Sequence, residues 1–353
     1  MANLEQFEND LRDRRALRGW SQEQLARRSG LSRAGISAIE TDRLIPSAAA
    51  ALALAAALEC RVEDIFRLRG PGSRESSWAW PPRREPCRYW KAEVGGSTKL
   101  YPAEATALGV VPHDGVYRGG SFKVEVEGDP EHTLVMASCD PAAGLLAAEL
   151  ARVADVRLIV LPRSSRTALS LIGRGLVQIA GVHLTPAEEP GGNAAIVRRE
   201  LGAGYTLLRV ARWEEGIAFA PGQRVPSVRE AVCSNLRWVG REDGSGARQC
   251  LDELFGDRRP PRRLASDHRG VAEAVRSGWA DAGVCLRLVS EEAGLDFLPV
   301  REEIYDLCFP DRWAGDHRIQ ALLQVVRSQP YRRALGELPG YDSAETGELH
   351  RVS

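Results

Sequence analysis

The sequence predicts a multidomain chain, an all-α head followed by a two-lobed α/β domain, and three observations predict it. At 353 residues the chain is too long to bury its apolar surface in one core. The stretch Ser21 to Ser47, SQEQLARRSGLSRAGISAIETDRLIPS, reads as two short helices joined at a sharp turn with a further element behind. From Thr133 onward, buried-strand runs (TLVMAS, RLIVLP, VQIAGV) alternate with helical patterns at the spacing of parallel βαβ units. The alternation resumes after a break at Tyr205 to Phe219, which implies a second lobe.

In the head, Ser21 can cap a helix, and Gln24 three residues on completes a capping box. Ala26, Gly30 and Ile36 fall where a helix-turn-helix needs a small residue, a residue tolerating positive φ and an apolar plug. Ser32 caps the next helix. Its outward positions Arg33, Ala34, Ser37 and Thr41 would face a major groove, while Ile36 and Ile39 point inward. A domain of this size makes few phosphate contacts, so useful affinity for double-stranded DNA predicts a homodimer on a two-fold operator. The alternative is a small bundle whose arginines form a solvated face.

These residues, with Ile39-Glu40-Thr41-Asp42-Arg43-Leu44-Ile45-Pro46-Ser47 behind them, resemble the Xre/Cro family of helix-turn-helix domains over Leu4 to Leu68. The resemblance implies a five-helix head over residues 1–69. It also implies DNA contacts from Gln22 to a phosphate and from Ser32, Arg33, Ala34, Ser37 and Arg43 in and behind the reading helix. Asp42 stands where many relatives have Gly, and Asp can occupy a left-handed turn.

Net charge is −1, so there is no global basic field and attraction to DNA must come from local Arg clusters. No run approaches the roughly 18 apolar residues that span a bilayer. The N-terminus MANLEQFENDLRDRR is charged from the start, and a cytoplasmic protein is expected. Seven scattered cysteines, never spaced C-x-x-C, argue against a disulfide framework and against a zinc site.

Residues 70–88, rich in Pro, Gly, Ser and Arg, read as a linker, with Trp78 and Trp80 as candidates to dock on a neighbouring surface. Residues 89–130 alternate and are broken by Gly, which suits a small antiparallel β element; residues 131–353 are the α/β part. There, three helix starts after strands would converge on one spot if the lobes face each other: Ser138-Cys139-Asp140-Pro141, Ser164-Ser165-Arg166-Thr167 and Gly244-Ser245-Gly246-Ala247-Arg248. Their N–H groups, dipole ends and hydroxyls make an anion site. His183, after the strand VQIAGV, is a further donor at that end of the sheet, and Arg212 a cation at the expected crossover between lobes.

Taken in order, these runs, with Ala180 to Leu184 and Gly278 to Gly283, resemble the molybdate-binding-protein-like domain, a cytoplasmic relative of periplasmic substrate-binding proteins, over about His132 to Tyr341. The resemblance implies a two-lobed fold closing on a small ligand. Ala247 and Gly240 replace a Thr and an Asn of the family pattern, and Arg212, Arg241 and Arg248 suit a carboxylate or phosphate. The expected ligand is a small anion: molybdate or tungstate, or a pterin-like or other organic anion.

The function expected is a ligand-responsive DNA-binding regulator with no cofactor, metal or membrane partner. Two alternatives are a cytosolic anion or cofactor carrier whose head binds protein, and an enzyme on the two-lobed fold. Against an enzyme, sequence alone does not justify pairing Cys139 and Asp140 with the distant His183 as nucleophile and base.

Overall fold

The computed structural model describes residues 7–41, 43–68, 76–104, 112–124, 129–189, 191–223 and 225–353. The chain divides into two compact units, Met1–Glu75 and Ser76–Ser353. In the first, α1 (Leu11–Leu17), α2 (Gln22–Ser29), α3 (Arg33–Glu40) and α4 (Ala48–Leu58) are followed by a single 3-10 turn, Val62–Asp64, where the family pattern has its fifth helix.

Capping explains the helix starts. Ser21 Oγ accepts the Gln24 N–H at 3.2 Å and Gln24 Oε1 accepts the Ser21 N–H at 2.7 Å, while Ser32 and Ser47 cap α3 and α4. Gly30 ends α2 at φ 71°, the left-handed conformation that turns the chain sharply into α3. Leu25, Ile36, Ile39, Leu54 and Leu58 form the core, and β1 (Phe7–Asn9) pairs antiparallel with β2 (Phe66–Leu68). Asp42 and linker residues 70–75 lie outside the described residues.

The second unit opens with a five-stranded sheet: β3 (Ser77–Trp78), β4 (Cys87–Val94), β5 (Ser97–Pro102), β6 (Gly115–Arg118) and β7 (Ser121–Val124), in the order β3-β5-β4-β6-β7. The stretch expected as linker to residue 88 therefore enters the sheet at Ser77. Aromatic packing is the reason: Trp78 meets Tyr89 and Tyr117 edge-on at 6.0 and 5.4 Å, and Trp80 meets Tyr101 at 5.5 Å. The sheet is no separate body. Its Trp90, Ala92, Val94 and Tyr101 share a core with Val135, Ile159, Leu161 and Leu169 of the first lobe.

That lobe contains β8 (Thr133–Ser138), α5 (Ala143–Ala154), β9 (Arg157–Pro162), α6 (Ser165–Gly173), β10 (Ile179–Val182) and α7 (Gly192–Leu201), with β8 parallel to both β9 and β10. β11 (Tyr205–Phe219) crosses to the second lobe. This is built from α8 (Val228–Cys233), β12 (Trp238–Arg241), α9 (Gly246–Phe255), β13 (Arg263–Ala265), α10 (His268–Arg276), β14 (Ala282–Leu286) and α11 (Arg287–Glu292). β15 (Asp296–Pro310) returns, α12 (His317–Arg327) and α13 (Gln329–Gly336) complete the first lobe, and β16 (Tyr341–Asp342) and β17 (Leu349–Val352) pair with β11.

β11 and β15 are 15 residues each, far longer than the usual strand, because they serve both lobes. Tyr205 to Arg209 pairs with Pro310 to Asp306 in the first lobe, and Glu215 to Phe219 faces Arg301 to Asp296 in the second. The register slips between Arg209 and Ala211 and again between Glu215 and Gly216, so the hinge is a twisted two-strand ribbon. No helix among the described residues is long and apolar enough to cross a membrane.

Candidate functional site

The lobes meet at His183. Leaving β10, its backbone N–H donates to Ser165 Oγ at 3.1 Å, and its fully buried ring spans two partners, Nδ1 2.8 Å from Glu303 Oε2 and Nε2 2.9 Å from Cys139 Sγ. From the second lobe, the start of α9 lies against this ring. A Cβ built on Gly246 would fall 2.5 Å from both His183 Nδ1 and the His183 carbonyl oxygen. Beside it, the Arg166 N–H donates to the Gly244 carbonyl at 3.3 Å, and Arg269 Nη2 donates to the Pro141 carbonyl at 3.4 Å.

Strand alternation supplies the floor of the site. Trp213 and Glu215 on β11, with Arg301, Glu303 and Tyr305 on β15, are at every second position and so share one face. Trp213 meets the His183 ring edge-on at 5.0 Å, and Tyr305 stacks on Trp213 at 4.4 Å.

Four buried groups at the site keep polar atoms without a hydrogen-bond partner: Glu215 (both carboxyl oxygens) and Arg301 (Nε) on the long strands, and Arg241 and His268 from the second lobe. Arg241 ends β12 only 1% exposed; Nε and Nη2 donate to Glu242 at 3.0 Å each, and Nη1 donates to nothing among the described residues. His268, the first residue of α10 and 1% exposed, has both ring nitrogens unpartnered. Burial first, then the charges of Arg241 and His183, push its imidazole well below its ordinary value, so it is neutral at pH 7. Orphaned buried polar atoms cost about 1–3 kcal/mol each, a cost that an acceptor for Arg241 and a partner for His268 would remove.

Cys139, His183 and His268 also bring one metal-ligand atom each within 4.8 Å of one another, as do His183, Glu215 and Glu303. In the first set the 2.9 Å between Sγ and Nε2 is hydrogen-bond spacing. Two ligands of one tetrahedral zinc ion would stand about 3.5 Å apart, from bonds of about 2.3 and 2.0 Å.

Residues 147–327, half the chain, match the PBP superfamily domain. The chain belongs to the PBP superfamily. Residues 11–65 match the helix-turn-helix family, so a DNA-binding type of domain precedes a ligand-binding type, the make-up of a DNA-binding regulator with a ligand-binding domain. The chain is similar to the uncharacterized protein YvgK of Bacillus subtilis (strain 168), 26% identical over 235 residues, 64% of this chain and 76% of that protein. It is also similar to an uncharacterized protein from the 5' region of a 2Fe-2S ferredoxin gene of Clostridium pasteurianum, 32% identical over 92 residues, 25% of this chain and 78% of that one. Among solved structures, PhnD1 from Prochlorococcus marinus (MIT 9301) in complex with methylphosphonate is 13% identical with a TM-score of 0.43, over 61% of this chain and 93% of that chain.

Within the PBP domain the expected ligand residues divide into two groups. Ser138, Ser165, His183, Ser245 and Gly246 are buried at or beside the junction of the lobes. Ser138 Oγ and the Tyr305 hydroxyl share a hydrogen bond at 2.7 Å, and Ser245 caps α9 by accepting the Arg248 N–H. Ser164 turns aside to Thr167 Oγ1 at 2.9 Å. Gly244, at φ 86°, edges a surface depression of about 570 Å³ that Arg166, Ser245, Arg248 and Asp252 also line.

Two of the three arginines do not join the site. Arg248 pairs with Asp252 and Asp243, both at 2.8 Å, on the outer side of α9. Arg212 donates to Glu345 from the opposite face of β11, since residues one apart on a strand point opposite ways and Trp213 takes the inner direction. Arg241 alone remains inside. The sequence reading missed His268, Glu215, Arg301, Glu303 and Tyr305; the alternation Trp-x-Glu and Arg-x-Glu-x-Tyr in long apolar strands was the available signal.

In the head, Ser32, Arg33, Ala34 and Arg43 are exposed and Ser37 half-buried. Gln22 is engaged, its Nε2 donating to Glu40 Oε2 at 2.9 Å, and Arg15 holds the same carboxylate. Arg43 Nε donates to Thr41 Oγ1 at 3.0 Å.

The hinge carboxylates have opposite fates. Burial works against the charge of Glu303, but the His183 hydrogen bond and charge, then Arg301, hold it down at about 2. Burial and the neighbouring Glu303 push Glu215 up to about 8, with Arg301 Nη2 3.4 Å from its Oε2. A carboxyl raised on folding stabilises fully below its unfolded value, near 4.5, and that stability is lost as pH rises through about 8. Glu215→Gln keeps the neutral shape. We expect it to match the wild type within about 1 kcal/mol at pH 5 and to exceed it by about 4–5 kcal/mol at pH 9. Urea unfolding at the two pH values checks this; an equal gap at both would mean that Glu215 is ionised in the fold.

Proposed function

We propose that the protein is a cytoplasmic, homodimeric transcription regulator whose PBP domain closes on a small oxyanion and thereby resets its helix-turn-helix heads on an operator. The single observation that carries the ligand half is the buried Arg241 Nη1 left without an acceptor beside the unpartnered His268. An anion accepts from Arg241 and from the ring N–H of His268 at once, and a cation satisfies only the second. Ser165 Oγ already accepts the His183 N–H, which leaves its own proton to donate. Glu242 occupies the Nε and Nη2 edge of Arg241, which leaves both N–H groups of Nη1 to donate and suits a small oxyanion such as molybdate, tungstate, sulfate or phosphate.

The DNA half rests on the exposed run Arg33, Ala34 and the neighbouring Ser37 along α3, a helix capped by Ser32 and seated by Ile36 and Ile39. A closed state preferred by the anion supplies the differential affinity that coupling to DNA requires. The test is a gel shift of the full chain on a DNA site selected from random sequence, at fixed salt, with each of the four oxyanions added in turn. One oxyanion should change operator affinity by about 5–150-fold. Arg33→Ala should weaken the selected site by about 10- to 100-fold while leaving random DNA nearly unaffected. No response to any oxyanion, or an unchanged affinity in the variant, would remove the corresponding half of the proposal.

A further inference from the structure

We propose that Cys139, His183 and Glu303 form an activated-cysteine site at the floor of the lobe junction, able to capture a small electrophile covalently. The three residues are far apart in the chain, and the fold joins them in one hydrogen-bonded line: Sγ to Nε2 at 2.9 Å, Nδ1 to Oε2 at 2.8 Å. A nucleophile in reach of an imidazole, with the imidazole fixed on its other nitrogen by a carboxylate, is the arrangement that activates sulfur.

The environment separates Cys139 from the other buried cysteines. Burial pushes the thiols of Cys250, Cys285 and Cys308 well up, which makes them inert. Cys139 is 8% exposed, at the turn leading into α5, and Ser138 and Ser165 flank the pair. A packing role would need neither the buried imidazole nor the buried carboxylate behind it, since two buried ionisable groups are costly to keep.

In the capture step the sulfur lone pair forms a bond to the electrophilic carbon, the carbon's bond to its leaving group breaks, and the leaving group departs with the electron pair. The sulfhydryl proton ends on His183 Nε2. The class of ligand follows from the neighbours and rests on the oxyanion reading above: Arg241 and His268 would hold an anionic group while the carbon of the same molecule meets sulfur.

Iodoacetate and iodoacetamide test both parts on the full chain, since they deliver the same carbon with and without a carboxylate. Labelling of each cysteine is followed by mass spectrometry, with the exposed Cys233 as the reference. In native protein Cys139 should label faster than Cys233, and iodoacetate should gain about tenfold over iodoacetamide relative to the same ratio at Cys233. Glu303→Gln and His183→Gln should slow labelling of Cys139 by about a hundredfold or more, near-ultraviolet circular dichroism confirming which variants keep the fold. If wild-type Cys139 labels no faster than Cys233, the activated site is overturned. If it labels fast but without preference for iodoacetate, capture stands and the oxyanion reading fails.

Discussion

Arg241→Met should abolish oxyanion binding while leaving a folded protein. The guanidinium is buried, two of its donors are committed to Glu242, and its remaining Nη1 is aimed at no acceptor. Removing one partner of a buried charge-assisted pair costs about 2–5 kcal/mol, so affinity for whichever of molybdate, tungstate, sulfate or phosphate binds best should fall by about a hundredfold or more. Methionine keeps most of the stem volume. The Glu242 side chain left behind is 39% exposed and can be hydrated, so the ligand-free melting temperature should fall little or even rise. Calorimetric titration gives the affinity, and melting curves with and without the anion separate lost binding from lost fold. Binding within about threefold of wild type, a difference of about 0.65 kcal/mol, would place the anion elsewhere.

How much of this was legible in the sequence follows from the range over which each signal acts. The head was readable because its signals are local: Ser21 with Gln24, Gly30 after α2 and Ser32 before α3 each act within one turn of helix. The α/β alternation was readable for the same reason, as in the unbroken apolar run of β8. His183 stood out because it follows a strand, but its partners could not be read: they lie at positions 139 and 303, and the pairing of β10 with β8 brings up the first while its pairing with β15 brings up the second.

The sequence reading erred where polar residues face inward. β15 carries Arg301, Glu302 and Glu303 in its middle, a polar run for which the sequence reading made no assignment and which gains its place only because the strand crosses the lobe junction. Arg212 was assigned to the cleft by its place at the crossover, yet a one-residue step decides which face of β11 a side chain takes. Trp78 is the converse case. Its Pro- and Arg-rich setting reads as linker, and the ring stack with Tyr89, Tyr117 and Phe122 overrides that composition.

The second large effect is expected at Gly246, where a single methyl group should hold the lobes apart. The residue begins α9 in a backbone conformation open to any residue, and alanine there favours the helix itself by up to about 1 kcal/mol. The obstacle lies wholly across the junction. The added carbon would stand 2.5 Å from both the Nδ1 and the carbonyl oxygen of His183, a group that cannot swing away because Glu303, Cys139 and Ser165 hold it from three sides. Gly246→Ala should therefore cost closure about 1–3 kcal/mol, the usual range for overpacking, and lower oxyanion affinity by about 5- to 150-fold. Small-angle scattering should give a larger radius for the variant with saturating anion, and its DNA affinity should stay at the anion-free value of the wild type. Unchanged scattering together with unchanged affinity would mean that α9 does not have to meet His183 for the ligand to bind, and closure would lose its place in the mechanism.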